Sequence, residues 1–165
     1  MATEQGPPEP AQRVILWGVP MCLSTLFTRC IGAADGVDSE IFVEPYDNCH
    51  SFGPERRRPA WPDALASAER RLVNGWQTYA RAKAELEADR PGASLVFVKD
   101  MAFAVDGKYD TLPVVYRHTF LVRDPRKVWS AYRRRIAEML QRASTATEGE
   151  GSNRPPSTAT EGEGS

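Results

Sequence analysis

Apolar residues gather in four short runs along the chain, and each run is bordered by polar residues or turn formers. The runs are RVILW at 13–17, EIFVE at 40–44, SLVFV at 94–98 and HTFLV at 118–122. Runs of this length, rich in β-branched and aromatic residues, are typical of strands that are buried within a sheet. The pattern therefore predicts four strands, the second of which is stopped by Pro45.

Helical periodicity fills most of the intervals between these runs. The clearest helix is predicted over 63–88, where one helical face carries Leu65, Leu72, Trp76, Tyr79 and Leu86. A short helix is predicted over 24–31. A last helix begins at Pro125, where a missing N–H has no consequence. Its apolar stripe consists of Val128, Tyr132, Ile136, Met139 and Leu140. Residues 48–62 are predicted to be a loop, and 101–110 either a strand extension with a turn or a loop.

Strands that alternate with helices predict an α/β fold of three layers, with a mainly parallel central sheet flanked by helices. In such a sheet, ligands bind beyond the carboxyl ends of the strands. Three segments are placed there: GVPMCLST at 18–25, EPY at 44–46 and RDPR at 123–126. These three segments form the candidate site.

The two ends of the chain differ from its centre in composition. Residues 1–12 are polar and rich in Pro and Glu, and residues 143–165 contain the segment STATEGEGS twice. Neither end has the large apolar residues that a core needs, so both are expected to be disordered. The folded domain is expected to span 13–142.

Charge and cysteine content narrow the classes of protein that fit. The formal net charge of the 165 residues is -1, which gives the whole chain no nucleic-acid signature. Residues 117–142 nevertheless carry eight Arg or Lys against two acidic residues, an excess that suits an anionic ligand or a solvated helix face. The three cysteines form no CxxC pair. With no signal peptide and no apolar run of about 18 residues, a cytoplasmic protein without a membrane partner is expected.

The first of the three segments has the length and position of a nucleotide-binding P-loop, G-x-x-x-x-G-K-[ST]. Gly18 and Thr25 fall in register, but Leu23 replaces the second glycine and Ser24 replaces the lysine. That lysine neutralises the β and γ phosphates of a nucleoside triphosphate. Without it the loop suits a single phosphate group, held by main-chain N–H groups at a helix N-terminus and by hydroxyls. The alternative is a Ser-Thr helix start without a ligand.

The fourth predicted strand ends in Arg123, which precedes Asp124 and Pro125. An arginine just before a helix can bind a phosphate through two N–H groups, and Ser130 lies within the first two turns. The alternative is an Asp124 cap on a helix whose cations are exposed.

The three segments together resemble the sulfotransferases that use 3′-phosphoadenosine 5′-phosphosulfate (PAPS). The similarity is closest to a divergent group of P-loop type whose first loop is roughly W-[GS]-x-P-R-S-x-S-T, and it runs from about Arg13 to Tyr132. The resemblance implies that the first loop, with Cys22, Leu23, Ser24 and Thr25, binds the 5′-phosphosulfate. It implies that Arg123 and Ser130 bind the 3′-phosphate, without a metal.

The resemblance also implies where the acceptor binds. Glu44 matches an acidic residue in an E-P-[FY] segment and is the candidate general base for an acceptor hydroxyl; a strand-end carboxylate in solvent is the alternative. The segment FVKDMAF is another recurrent feature of these proteins, and it places Lys99 and Asp100 at the end of the third strand, near the same site.

The chain departs from the family pattern at several positions. Met21 stands where the family has Arg or Lys, a cation that stabilises the transferring sulfuryl group by several kcal/mol. Arg29 and the arginines at 56–58 are candidates to replace that charge. Ser130 lies one residue earlier than the family's serine. The family also continues with a further strand and a basic loop, where this chain has its repeats, so an incomplete domain is expected.

The resulting hypothesis is a sulfotransferase-like protein that binds PAPS or its product PAP and transfers a sulfuryl group to a small hydroxyl acceptor. The alternative is a catalytically impaired nucleotide-binding or interaction module of the same fold, which Met21 favours. A nucleotide kinase or phosphatase of P-loop type is a third hypothesis, and the absent lysine argues against it.

Overall fold

Four parallel strands form the centre of the structure, a computed structural model that describes residues 10–56 and 78–150. The strands are β1 (Gln12–Gly18), β2 (Ser39–Val43), β3 (Leu95–Met101) and β4 (Arg117–Phe120). The helices are α1 (Ser24–Gly32), α2 (Pro45–Phe52), α3 (Tyr79–Glu87) and α4 (Pro125–Glu150). Two short 3-10 helices, Ala102–Val105 and Tyr109–Thr111, lie between β3 and β4.

The strand order in the sheet is β2-β3-β1-β4, and every pair is parallel. In this register Trp17 of β1 lies between Asp100 of β3 and Phe120 of β4. The chain reaches β2 and β3 on one side of β1 and β4 on the other, so the direction of the connections changes at β1. The predicted α/β fold with a mainly parallel sheet flanked by helices is confirmed, and the change of direction places a crevice at the carboxyl end of β1.

Successive residues of each strand point to opposite faces of the sheet, and helices lie on both faces of its centre. On one face the buried side chains of β1 and β3 pack with rings from α2 and α3; this cluster includes Ile15, Trp17, Val96, Val98, Tyr46 and Tyr79. On the other face Phe27 of α1 lies with its ring centroid 6.2 Å from that of Phe97. Burial on both faces explains why β1 and β3 appear in the sequence as continuous apolar runs.

Two segments differ from their predicted structure. The predicted loop at 48–62 is wrong for its first part, because α2 continues through Phe52; residues 57–62 lie outside the described residues. The single helix predicted over 63–88 is also wrong, because Thr78 has an extended backbone and its Oγ1 accepts a hydrogen bond from the N–H of Arg81. A new helix therefore begins at Tyr79, and residues 63–77 lie outside the described part of the chain.

The remaining differences concern boundaries. Glu44, predicted to end the second strand, instead precedes α2, and the fourth strand begins and ends earlier than 118–122. Residues 101–110 form no strand beyond Met101 but a 3-10 helix and a turn at Asp106 and Gly107, which both have positive φ. Helix α4 extends to Glu150, past the domain boundary predicted at 142. Of the two ends expected to be disordered, 1–12 and 143–165, residues 1–9 and 151–165 lie outside the described residues.

Candidate functional site

The loop between β1 and α1 has a compact and strained backbone. A Cβ atom on Gly18 would come within 2.8 Å of the Cys22 sulfur, so only glycine fits there while Cys22 is buried. Met21 and Leu23 have φ angles of 63° and 74°, in the left-handed region that residues with a Cβ rarely adopt. Strained backbone of this kind occurs preferentially at ligand-binding sites. Its presence here supports a functional interpretation of the loop.

Helix α1 begins directly after this loop with Ser24 and Thr25. Its N-terminal residue Leu23 provides no side-chain cap, and no acidic residue lies in the first turn. The first N–H groups of a helix have no partner within the helix, and the helix dipole makes that end positive. Ser24 is 4% exposed, whereas Thr25 is open to solvent. The arrangement matches an anion site that main-chain N–H groups and hydroxyls share.

Arg123 lies against the same loop, although 102 residues separate it from Met21. Its Nη1 atom donates a 2.7 Å hydrogen bond to the main-chain carbonyl of Met21. The parallel pairing of β4 with β1 makes this contact possible, and it continues past β4 because the N–H of Leu121 donates to the carbonyl of Trp17. The structure thus brings the two segments predicted to bind phosphates together.

Ser130 does not point its hydroxyl hydrogen at this site. Its Oγ donates a 2.8 Å hydrogen bond to the carbonyl of Arg126 within α4. Asp124 caps α4, since its Oδ1 accepts a 2.9 Å hydrogen bond from the N–H of Arg126. The Asp124 cap that the sequence offered as an alternative is therefore present, and Arg123 contacts the first loop beside it.

Glu44 and Lys99 form an ion pair at the carboxyl ends of β2 and β3. The Lys99 side chain is fully buried, whereas the Glu44 side chain is 30% exposed. Glu44 has a left-handed backbone with φ of 57°, and its N–H donates a 2.7 Å hydrogen bond to the Lys99 carbonyl. The pair leaves one carboxylate reachable from solvent and held by a buried ammonium group. The sequence placed both residues near one site but gave no sign of their pairing.

Asp100 performs a different task at the same sheet edge. Its carboxylate is buried and accepts hydrogen bonds from the N–H groups of Tyr46, Asp47 and Met101, at 2.6, 3.0 and 2.7 Å. Burial raises the pKa of Asp100 to about 8, and the main-chain N–H groups act in the opposite direction. Asp100 thus holds the N-terminus of α2 against β3, a role that the sequence did not suggest.

The site consists of two clusters at one edge of the sheet. The first comprises the loop 18–25 with Arg123, and the second is the Glu44–Lys99 pair. Because β3 lies between β2 and β1, the backbone of Glu44 is about 10 Å from the end of β1, two strand spacings away. The end of β3 lies between the two clusters.

Of the other cations proposed from the sequence, the two that the structure describes make no hydrogen bond to Met21. Arg29 lies in the last turn of α1, at the end opposite the loop, and Arg56 is exposed after α2. Arg57 and Arg58 lie outside the described residues. Among the residues that the structure describes, Arg123 is the cation that contacts Met21.

Comparisons with protein-family models, with curated proteins and with solved structures found no match. Within residues 10–56 and 78–150, no group of three or more His, Cys, Asp or Glu side chains is arranged to hold a metal ion. Over those same ranges, no helix combines the length and the hydrophobicity that crossing a bilayer requires. The site's own geometry therefore carries the functional argument.

Proposed function

We propose that this chain is a sulfotransferase-like protein of P-loop type, which binds PAPS or PAP and transfers a sulfuryl group to a small hydroxyl acceptor. The observation that carries the proposal is the hydrogen bond from Arg123 to the carbonyl of Met21. It joins two phosphate-type segments from distant parts of the sequence at the carboxyl end of β1 and β4. A donor with one phosphate at each end of a ribose needs two such sites side by side.

The first loop fits the 5′ end of this donor. Its anion-binding groups are the uncapped N–H groups of α1 with the hydroxyls of Ser24 and Thr25, while Cys22 and Leu23 shape the backbone. Arg123 fits the 3′-phosphate, because a guanidinium has five N–H donors and the Met21 carbonyl occupies only one nitrogen. Ser130 joins this subsite only if its hydroxyl leaves the Arg126 carbonyl.

Asp100 argues against a nucleoside triphosphatase. In P-loop triphosphatases an acidic residue helps to hold Mg²⁺ beside the phosphates. Here the carboxylate on the strand next to β1 is fully buried and accepts hydrogen bonds from three main-chain N–H groups. Because these hydrogen bonds occupy the carboxylate and the P-loop lysine is missing, the site favours a donor that reacts without a metal.

Glu44 is the candidate general base. A hydroxyl acceptor loses its proton as the sulfuryl group arrives, and a carboxylate within reach can accept that proton. The Glu44 carboxylate is partly exposed and lies between the end of β2 and the start of α2, at the same edge of the sheet as the first loop. Lys99 holds the carboxylate in place.

Met21 favours a second candidate function, a nucleotide-binding module with impaired catalysis. A methionine that is 37% exposed gives the loop no side-chain cation for the sulfuryl group. Arg123 brings a positive charge to the Met21 carbonyl, but the proposal already assigns that guanidinium to the 3′-phosphate. The two functions share the same binding site and differ in turnover.

Calorimetry with PAP and with Mg-ATP tests the proposal. We expect saturable binding of PAP and none of Mg-ATP. Arg123→Ala should weaken PAP about tenfold or more, since a charge-assisted contact contributes roughly 1.5–3 kcal/mol, and should weaken adenosine 5′-phosphosulfate less. Arg29→Ala is the matched control, because Arg29 lies at the far end of α1 and should leave both affinities unchanged.

Three results distinguish the outcomes. A folded wild type that does not bind PAP contradicts both candidate functions. Equal weakening of the two ligands by Arg123→Ala contradicts the assignment of Arg123 to the 3′-phosphate. PAP binding without sulfation of any hydroxyl acceptor, followed by turnover in Met21→Arg, supports the impaired module.

A further inference from the structure

Strand β4 has one open edge and two uncovered faces. All four of its residues are exposed, and among the described residues no strand pairs with the edge opposite β1. The N–H of Leu121 points to β1, so the alternate residues His118 and Phe120 direct their main-chain groups to the open edge. An unpaired edge of this kind is a template for another strand.

Large apolar side chains are exposed on β4, directly after it and in the first turns of α4. Phe120 is 70% exposed, Val122 is 86% exposed and Trp129, in the first turns of α4, is 61% exposed. No residue of α4 between 125 and 142 is buried, although the helix is amphipathic. Phe120 and Val122 are two residues apart at the end of β4, and exposed apolar side chains that are close to one another mark an interaction surface.

The charge of α4 changes sign along its length. Residues 126–135 contain five Arg or Lys and no acidic residue, whereas residues 143–150 contain two Glu and no Arg or Lys. A second α4 in the antiparallel direction places basic and acidic ends side by side. It also opposes the two helix dipoles, whose N-terminal ends are positive. The helix is thus complementary to a copy of itself.

We propose that a second copy of this chain docks on β4 and α4 about a two-fold axis. An axis perpendicular to both elements makes β4 antiparallel to β4 of the partner and α4 antiparallel to its copy. This arrangement pairs the open edges and covers Phe120, Val122 and Trp129. Two-fold homodimers use one self-complementary surface on both subunits. The resulting sheet has eight strands.

Other occupants fit these features less well. A membrane surface attracts the basic half of α4, but the hydrocarbon that would cover Phe120 and Val122 supplies no hydrogen-bond partners to the main-chain groups of the β4 edge. Residues 151–165 consist of Gly, Ser, Thr, Ala, Asn, Arg, Pro and Glu. Several of these residue types are depleted in strands, and the segment has no large apolar residue to cover Trp129.

Sedimentation velocity of the full chain tests this proposal independently of PAP binding. We expect a species of about twice the 18.3 kDa of the monomer. Phe120→Lys and Trp129→Glu should each raise the dimer dissociation constant about tenfold or more, since they charge the centre of the interface. Tyr109→Lys is the matched control, because Tyr109 is 72% exposed in a 3-10 helix away from β4.

Circular dichroism establishes that each variant is folded before its mass is measured. A wild type that stays monomeric at every accessible concentration overturns the proposal, as does a dimer that neither variant weakens. Flotation with phosphatidylserine vesicles provides a further outcome. A monomer that binds these vesicles through Trp129 shows that the surface belongs to a membrane and also overturns the proposal.

Discussion

Replacing Leu23 by Gly and by Ala measures the backbone strain in the first loop. Leu23 has φ of 74° and is 55% exposed. A residue with a Cβ atom destabilises the fold by roughly 1–2 kcal/mol when its backbone is left-handed. Glycine avoids this strain but destabilises the fold by about 0.5–1 kcal/mol, because it has more conformational entropy to lose on folding. Both variants remove the leucine side chain, so its burial cancels. Leu23→Gly should therefore be more stable than Leu23→Ala by about 0.5–1 kcal/mol.

Leu26 is the matched control for this comparison. It is 58% exposed and lies one turn further along, in the regular backbone of α1. There alanine should be the more stable replacement by about 1 kcal/mol, because glycine is a poor helix former. Urea denaturation of the four variants gives the free energies of unfolding. If alanine is also the better replacement at Leu23, the backbone there is not left-handed and the strain argument for the loop fails.

Two further predictions concern the charges at the sheet edge. Burial raises the pKa of Asp100 from 3.8 to about 8. The contribution of the protonated Asp100 to the stability of the fold is therefore fully present below pH 3.8 and is lost as pH rises through 8. Relative to Asp100→Asn, the wild type should lose up to about 1.4 kcal/mol of unfolding free energy per pH unit. Denaturation at several pH values measures this, and parallel curves contradict it. Glu44→Gln should lower the free energy of unfolding by about 3–5 kcal/mol, because it leaves the buried charge of Lys99 without its counter-charge. Adding Lys99→Met should recover part of that loss. If the losses from the two substitutions are additive, the ion pair is contradicted.

The strands were predictable from sequence because a short run rich in β-branched and aromatic residues is a local signal, which in β1 and β3 reflects burial. Each of the four runs corresponds to one strand, although the boundaries shift by one to three residues. The strand order was not predictable, since pairing depends on contacts between distant residues. Without that order, the sequence could not show that Arg123 reaches Met21.

Helix α2 was missed because its stabilising contacts are not local. Its eight residues, PYDNCHSF, are mixed in polarity and follow Pro45, which ends a strand as readily as it begins a helix. The N–H groups of Tyr46 and Asp47 are bound by the carboxylate of Asp100, more than 50 residues away. The prediction of one helix over 63–88 was wrong for a different reason. The helical spacing of apolar residues continues on both sides of Thr78, although Thr78 caps the helix that begins at Tyr79.

Arg123 changes what the absence of a cation at Met21 means. The loop carries no charged side chain of its own near this point, yet a guanidinium from the end of β4 donates to the Met21 carbonyl. The positive charge of the site therefore depends on the pairing of β4 with β1, which positions Arg123. If a second copy docks on the open edge of β4, that strand is shared between the interface and the proposed anion site. Any coupling between the two is then reciprocal, because linkage requires each binding event to affect the other equally.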